Sequence, residues 1–190
     1  METNSGRQVP GSSETTAIRV LEIYEEEGIR QLGVDRDRLV GWNALDDLPP
    51  GLAENWPGLP TYWLNPLLPS ANCAGIGPGM LCCDEIARRA LSPATGTQVQ
   101  FLPIAVQGEK VPWWYIHIPY VIHDIAARHE GSRRYLTGAV DRLRPSMLFR
   151  LRHGSSGPYL TTSGSEHDVY SAYTDHHLSG LRFVPVEVEI

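Results

Sequence analysis

Apolar and polar positions alternate over several short stretches of this chain, and only two stretches carry a helical period. Ala17 to Tyr24 (AIRVLEIY) predicts a first strand, Leu39 to Ala44 a second and Thr61 to Asn65 (TYWLN) a third. Val99 to Val106 (VQFLPIAV) and Val111 to Val121 (VPWWYIHIPYV) flank a turn at Gly108 and predict a hairpin. In its second arm Trp114, Ile116, Ile118 and Tyr120 share one face, and Trp113, Tyr115 and His117 share the other. On that pattern Trp114 takes the buried side and Trp113 is the candidate for exposure. Met147 to Arg152 and Tyr159 to Thr162 predict two strands around a flexible turn at residues 153–158, and Leu181 to Ile190 a last strand. Pro185 lacks an amide donor, so that strand is expected at a sheet edge.

The clearest helical stripe lies in Leu81 to Leu91 (LCCDEIARRAL), where Cys83, Ile86, Ala87, Ala90 and Leu91 recur at i, i+3, i+4, i+7 and i+8. Asp84 and Glu85 suit its positive end, Arg88 and Arg89 its negative end, and Ser92-Pro93 is expected to stop it. A second helix is predicted over Glu166 to His176, with Ser165 as N-cap and Val169, Ala172 and Tyr173 inward. Ile122 to His129 reads as a further short helix. The expected fold is α+β: a single domain over residues 17–190, mainly antiparallel sheet with two or three short helices, after a flexible tail at 1–16 rich in Ser, Thr, Gly and Pro.

Composition narrows the function classes. The 15 prolines and 18 glycines among 190 residues favour short elements and argue against a helical bundle. No stretch approaches the roughly 20 apolar residues that span a bilayer, and the polar N-terminus lacks a secretory apolar region. The three cysteines, Cys73, Cys82 and Cys83, are an odd set with two adjacent, which suits free thiols in a reducing cytoplasm. The net charge of −6 arises within residues 1–60, which hold 11 acids and 5 bases; the remainder is balanced. A nucleic-acid partner is therefore not expected, and a basic protein partner is.

Chemistry-bearing residues are poorly grouped. His117, His123 and His129 are spaced by six, and His176 and His177 are adjacent; neither spacing gathers ligands on one helix face. Zinc-type spacings are absent, so no metal and no cofactor is expected. Asp84 and Glu85 beside Cys82 and Cys83 disfavour thiolate, and Gly154-Ser155-Ser156-Gly157 lacks the G-x-S-x-G pattern of a nucleophile elbow. Gly75, Gly77 and Gly79 precede a helix but lack the Lys and Ser/Thr of a phosphate loop. What remains is surface: Glu25, Glu26, Glu27, Asp46 and Asp47 as acidic contacts, with Trp42 and Trp113 as aromatic anchors.

From about Pro60 onward, the order of segments resembles the immunity protein 11 family of bacterial polymorphic-toxin systems. LCCDEIARRAL is followed by VQFLPIAV, then by WWYIHIPYV with His123-Asp124-Ile125 after it. Further on, MLFRLR is followed by YLTT, a helix and the ending Leu178-Ser179-Gly180-Leu181-Arg182-Phe183-Val184-Pro185, which is similar to the family's Leu-Thr-Gly-Leu-x-Phe-x-Pro ending with Ser179 in the threonine place. The resemblance implies a non-enzymatic protein that neutralises a cognate toxin by direct binding inside the producing cell. Two rival classes are an adaptor in a secretion, phage-defence or signalling assembly, and an enzyme with a site drawn from His117, His123 and a cysteine.

Overall fold

The computed structural model describes residues 18–34, 56, 58–76, 80–130, 133–151 and 159–189. The expected tail at 1–16, the strand at 39–44, the residues Trp42, Asp46 and Asp47, and the turn at 153–158 lie outside the described residues.

Two mixed, mostly antiparallel sheets and two helices make up the described α+β fold. In chain order the elements are β1 (Arg19–Glu25), β2 (Leu32–Val34), β3 (Leu59–Trp63), β4 (Cys73–Gly75), β5 (Leu81–Asp84), α1 (Glu85–Thr95), β6 (Gln100–Val106) and β7 (Trp113–His117). They continue with β8 (Val121–Ile122), β9 (Ile125–Glu130), β10 (Arg133–Gly138), β11 (Leu148–Leu151), β12 (Tyr159–Ser163), α2 (Val169–Asp175) and β13 (Leu181–Val188). The six-stranded sheet runs β2-β3-β6-β7-β5-β4, and the seven-stranded sheet β8-β11-β12-β1-β13-β10-β9.

Strand alternation sorts the apolar residues into three cores. One joins the two sheets through both helices: Ile23, Cys73, Cys83, Ala87, Leu91, Ile116, Tyr159, Val169 and Tyr173 belong to it. A second lies on the opposite face of the six-stranded sheet, around Leu32, Cys82, Leu102, Trp113 and Tyr115. The third lies on the far face of the seven-stranded sheet, around Val20, Ile125, Leu136, Phe149 and Leu160. Its edge strands β8 and β9 are joined by only His123 and Asp124, so its two ends come within about 10 Å. The sheet therefore curls around this third core.

Several local expectations are corrected. Residues 81–84 form β5 rather than helix, because Leu81, Cys82 and Cys83 are buried between neighbouring strands β4 and β7. The helix begins after Asp84, whose carboxylate accepts from the Ala87 amide at 2.8 Å as an N-cap. It passes through Pro93 to Thr95, because a proline so near the end removes little of the hydrogen-bond ladder. Ile86, expected on the inward stripe, is 63% exposed. Cys82 and Cys83, expected at the start of that helix, are fully buried in β5.

The helix expected at 122–129 is instead strands β8 and β9. Tertiary pairing with β10 overrides the helical preference of Ala126 and Ala127, in register Ala127↔Leu136 and Ala126↔Thr137. In α2, Asp168 rather than Ser165 is the cap. Its carboxylate accepts from the amides of Gly164, Ser165 and Ser171 at 2.9, 3.2 and 2.8 Å. Strand β13 lies inside the sheet, between β1 and β10, despite Pro185. Its pairing with β10 starts only at Glu187 and Val188, beyond the missing amide.

Candidate functional site

The acidic stretch ends β1 at a corner where three segments are knitted together. Glu25 is half-buried: Gln31 Nε2 donates to its Oε1 at 2.9 Å, and its Oε2 rests against Gly75, 1.7 Å from where a Cβ would stand. Burial raises its carboxyl pKa above the ordinary value. The Glu26 amide donates to the Gly180 carbonyl at 2.9 Å, and the Gly180 amide donates to Glu26 Oε2 at 3.2 Å. Gly180 has φ +102°, and a Cβ there would stand 1.9 Å from the Cys73 carbonyl oxygen, so glycine is required. Glu26 and Glu27 are exposed.

Arg30 and Gln31, just after these acids in the chain, hold an apolar loop. The Leu64 amide donates to the Gln31 carbonyl at 2.9 Å, the Arg30 amide to Pro69 at 3.0 Å and the Leu68 amide to Asn65 at 3.1 Å. Those bonds tie down the backbone while leaving Leu67 99% exposed, with Leu64 and Leu68 partly so. The loop continues into a sheet face without charge. Tyr62 and Leu64 pack over Gly33; Pro60 lies opposite Ala105, and Pro60, Pro103, Ala105 and Tyr62 are exposed. Glu109 braces the place where the loop joins β3, accepting from Trp63 Nε1 at 2.8 Å and from Arg30, whose guanidinium lies 4.4 Å over the Trp63 ring. The arrangement offers exposed apolar side chains on a hydrogen-bonded loop and on an uncharged sheet face, and exposed apolar patches mark contact sites.

The expected aromatic anchor is corrected. Trp113 is 5% exposed and packs edge-on against Trp63, with ring centroids 5.2 Å apart. Strand β7 is interior, flanked by β5 and β6, and both its faces are covered. Trp114 is the more exposed of the two: its Nε1 donates to Glu85 at 2.9 Å, and Arg88 lies 4.8 Å over its ring. The hairpin itself is as expected, in register Gln100↔His117 to Ile104↔Trp113.

His117 is buried at the end of β7 beside Tyr115, while His123 is exposed in the link between β8 and β9. Cys73, Cys82 and Cys83 are free and buried, and burial pushes all three thiols well up. Among the described residues no three His, Cys, Asp or Glu side chains are grouped to hold a metal ion. Nor is any helix among them long and apolar enough to cross a membrane.

One feature escapes a pattern-based reading. Glu22, one of the 11 acids of residues 1–60, is 1% exposed and pairs with Arg134, which also donates to the Tyr24 hydroxyl at 3.3 Å. This pair lines a recess of about 230 Å³ between β1, β13 and β10, with Arg133, Val184, Pro185 and Glu187. Arg133 faces Glu187 at 3.8 Å, so the charges in the recess balance within the chain. The only sequence signal is an acid at the second place of the Val20, Glu22, Tyr24 alternation, where an inward residue is due. No protein-family model matches this chain, and no curated protein matches its sequence.

Proposed function

We propose that this chain neutralises a cognate bacterial toxin by binding it directly, without catalysis, inside the producing cell. The observation that carries the reading is Leu67, fully exposed on a loop hydrogen-bonded to Arg30 and Gln31, which follow the exposed Glu26 and Glu27 in the chain. A surface of that kind suits a partner with an apolar contact ringed by Lys and Arg. The acids speed encounter with such a partner, and the leucines and the uncharged face of β3 and β6 then exclude water and hold it. The likeness of the segment order to the immunity protein 11 family supports the same reading.

The test is co-expression with the product of the adjacent toxin gene, together with binding kinetics on the purified pair. Relief of toxicity is expected, with an association rate that falls as salt rises. Reversing Glu26 and Glu27 to lysine is expected to slow association at least tenfold at low salt. Leu67→Asp is expected to speed dissociation. A neighbouring gene product that neither binds nor loses toxicity would overturn the proposal.

A further inference from the structure

The fold brings two of the three thiols face to face. In the β4–β5 pair, Cys73 lies directly opposite Cys83. Hydrogen-bonded pairs fall at the alternate positions: next to it the Asp84 amide donates to Asn72 at 2.8 Å, and three pairs along the Ile76 amide donates to Met80 at 3.0 Å. The Cys73 amide turns away from β5 and donates to the Ser179 carbonyl at 2.9 Å. Cys73 and Cys83 therefore occupy a non-hydrogen-bonded position, where opposed Cα atoms stand about 4.5 Å apart and side chains approach most closely. That separation falls within the roughly 4.4–6.8 Å that a disulfide spans. Both side chains face the core shared by the two sheets, whereas Cys82, one residue along, faces the opposite core.

We infer that Cys73 and Cys83 are a modification site: a two-electron oxidant such as a hydroperoxide converts them to a cross-strand disulfide. One sulfur, as thiolate, attacks a peroxide oxygen and breaks the O–O bond, giving a sulfenic acid and water after proton transfer. The second sulfur attacks the sulfenic sulfur and expels hydroxide, which leaves as water. Overall two thiols lose two protons and two electrons, and hydrogen peroxide is reduced to two waters.

Burial makes the reaction slow in the closed fold, so it proceeds through opening of β4, a three-residue strand at the sheet edge. Once formed, the bond fastens β4 to β5. Because Cys73 anchors Ser179, and Gly75 seats Glu25, it also stiffens the acidic corner.

The inference rests on register and hydrogen bonding alone, and holds whether or not the corner binds a toxin. Its test uses the reduced, folded protein treated with hydrogen peroxide, then denatured, alkylated and mapped by mass spectrometry. The expected product carries one Cys73–Cys83 link with Cys82 alkylated. Cys82→Ser should form the same link, and amide exchange in β4 should slow at least tenfold. Three alkylated cysteines, under conditions that bridge a dithiol peptide, would overturn the inference. So would a link through Cys82, or unchanged exchange in a bridged β4.

Discussion

Trp113 and Glu85 take opposite roles, one inside a core and the other at the surface. Trp113 fills the core behind the six-stranded sheet, against Trp63 and beside Tyr115. Trp113→Ala is therefore expected to cost about 3–5 kcal/mol, as for other large-to-small core replacements, read from urea unfolding. Glu85 is tied at the surface by bonds that all favour its charged form. Arg88 Nε and Nη2 reach it at 2.7 and 2.8 Å, Arg89 Nε at 2.8 Å and Trp114 Nε1 at 2.9 Å. The hydrogen bonds from Arg88 and then Arg89 lower its carboxyl pKa to about 2. Because the folded value lies below the unfolded one, the contribution is complete above the ordinary carboxylate range and is lost as pH falls through about 2. Carboxyl-carbon NMR should show Glu85 titrating well below the ordinary carboxylate range, and Glu85→Gln should flatten the acid limb of the stability profile.

At the scale of elements, the helix starts are the most sharply specified features. Each has an aspartate whose side chain accepts the amide three residues on, Asp84 for α1 and Asp168 for α2. Asp168 is wholly buried. Burial works to raise its pKa, but the amides of Ser171, Gly164 and Ser165 outweigh that and lower it. Asp168→Ala strips three amides of their acceptor and is expected to cost about 2–3 kcal/mol. Ser165→Ala should stay within about 0.5 kcal/mol of wild type by the same denaturation assay. Such caps were only partly legible in sequence. Asp168 stands three residues after Ser165, so a capping-box reading put the acid at the wrong end of the motif. Asp84 was hidden inside a stripe that ran through β5 into α1. Period alone did not separate those four residues from the helix, because a strand buried on both faces is a continuous apolar run.

For the whole molecule, the curl of the seven-stranded sheet determines what its inner face encloses. Val20, Leu160 and Val186 bury apolar surface there, and the same face of β1 carries Glu22 inward to Arg134. Removing one partner leaves a charge buried without its counterion. Glu22→Ala is accordingly expected to cost about 3–5 kcal/mol, and Glu22→Leu combined with Arg134→Met to recover most of that loss. A double-mutant cycle by chemical denaturation measures the coupling; a coupling near zero would show that the pair does not hold the curl together.

Sequence by itself determined the fold class, the order of most strands, the β6–β7 hairpin and the existence of both helices. Each of these follows from local period, turn residues and capping chemistry, which act over a few residues. The acidic run at Glu25 to Glu27 was equally plain, being a matter of composition. Tertiary structure decided which face of a strand meets solvent, as with Trp113 and Trp114, because that depends on what packs against the strand from far along the chain. It also decided that the segment at 122–129 pairs as strand, that Glu22 turns inward, and that the loop bearing Leu67 is bonded to Arg30 and Gln31. Alternation specifies two faces and leaves open whether one or both are covered; only distant segments, brought together by folding, supply that answer.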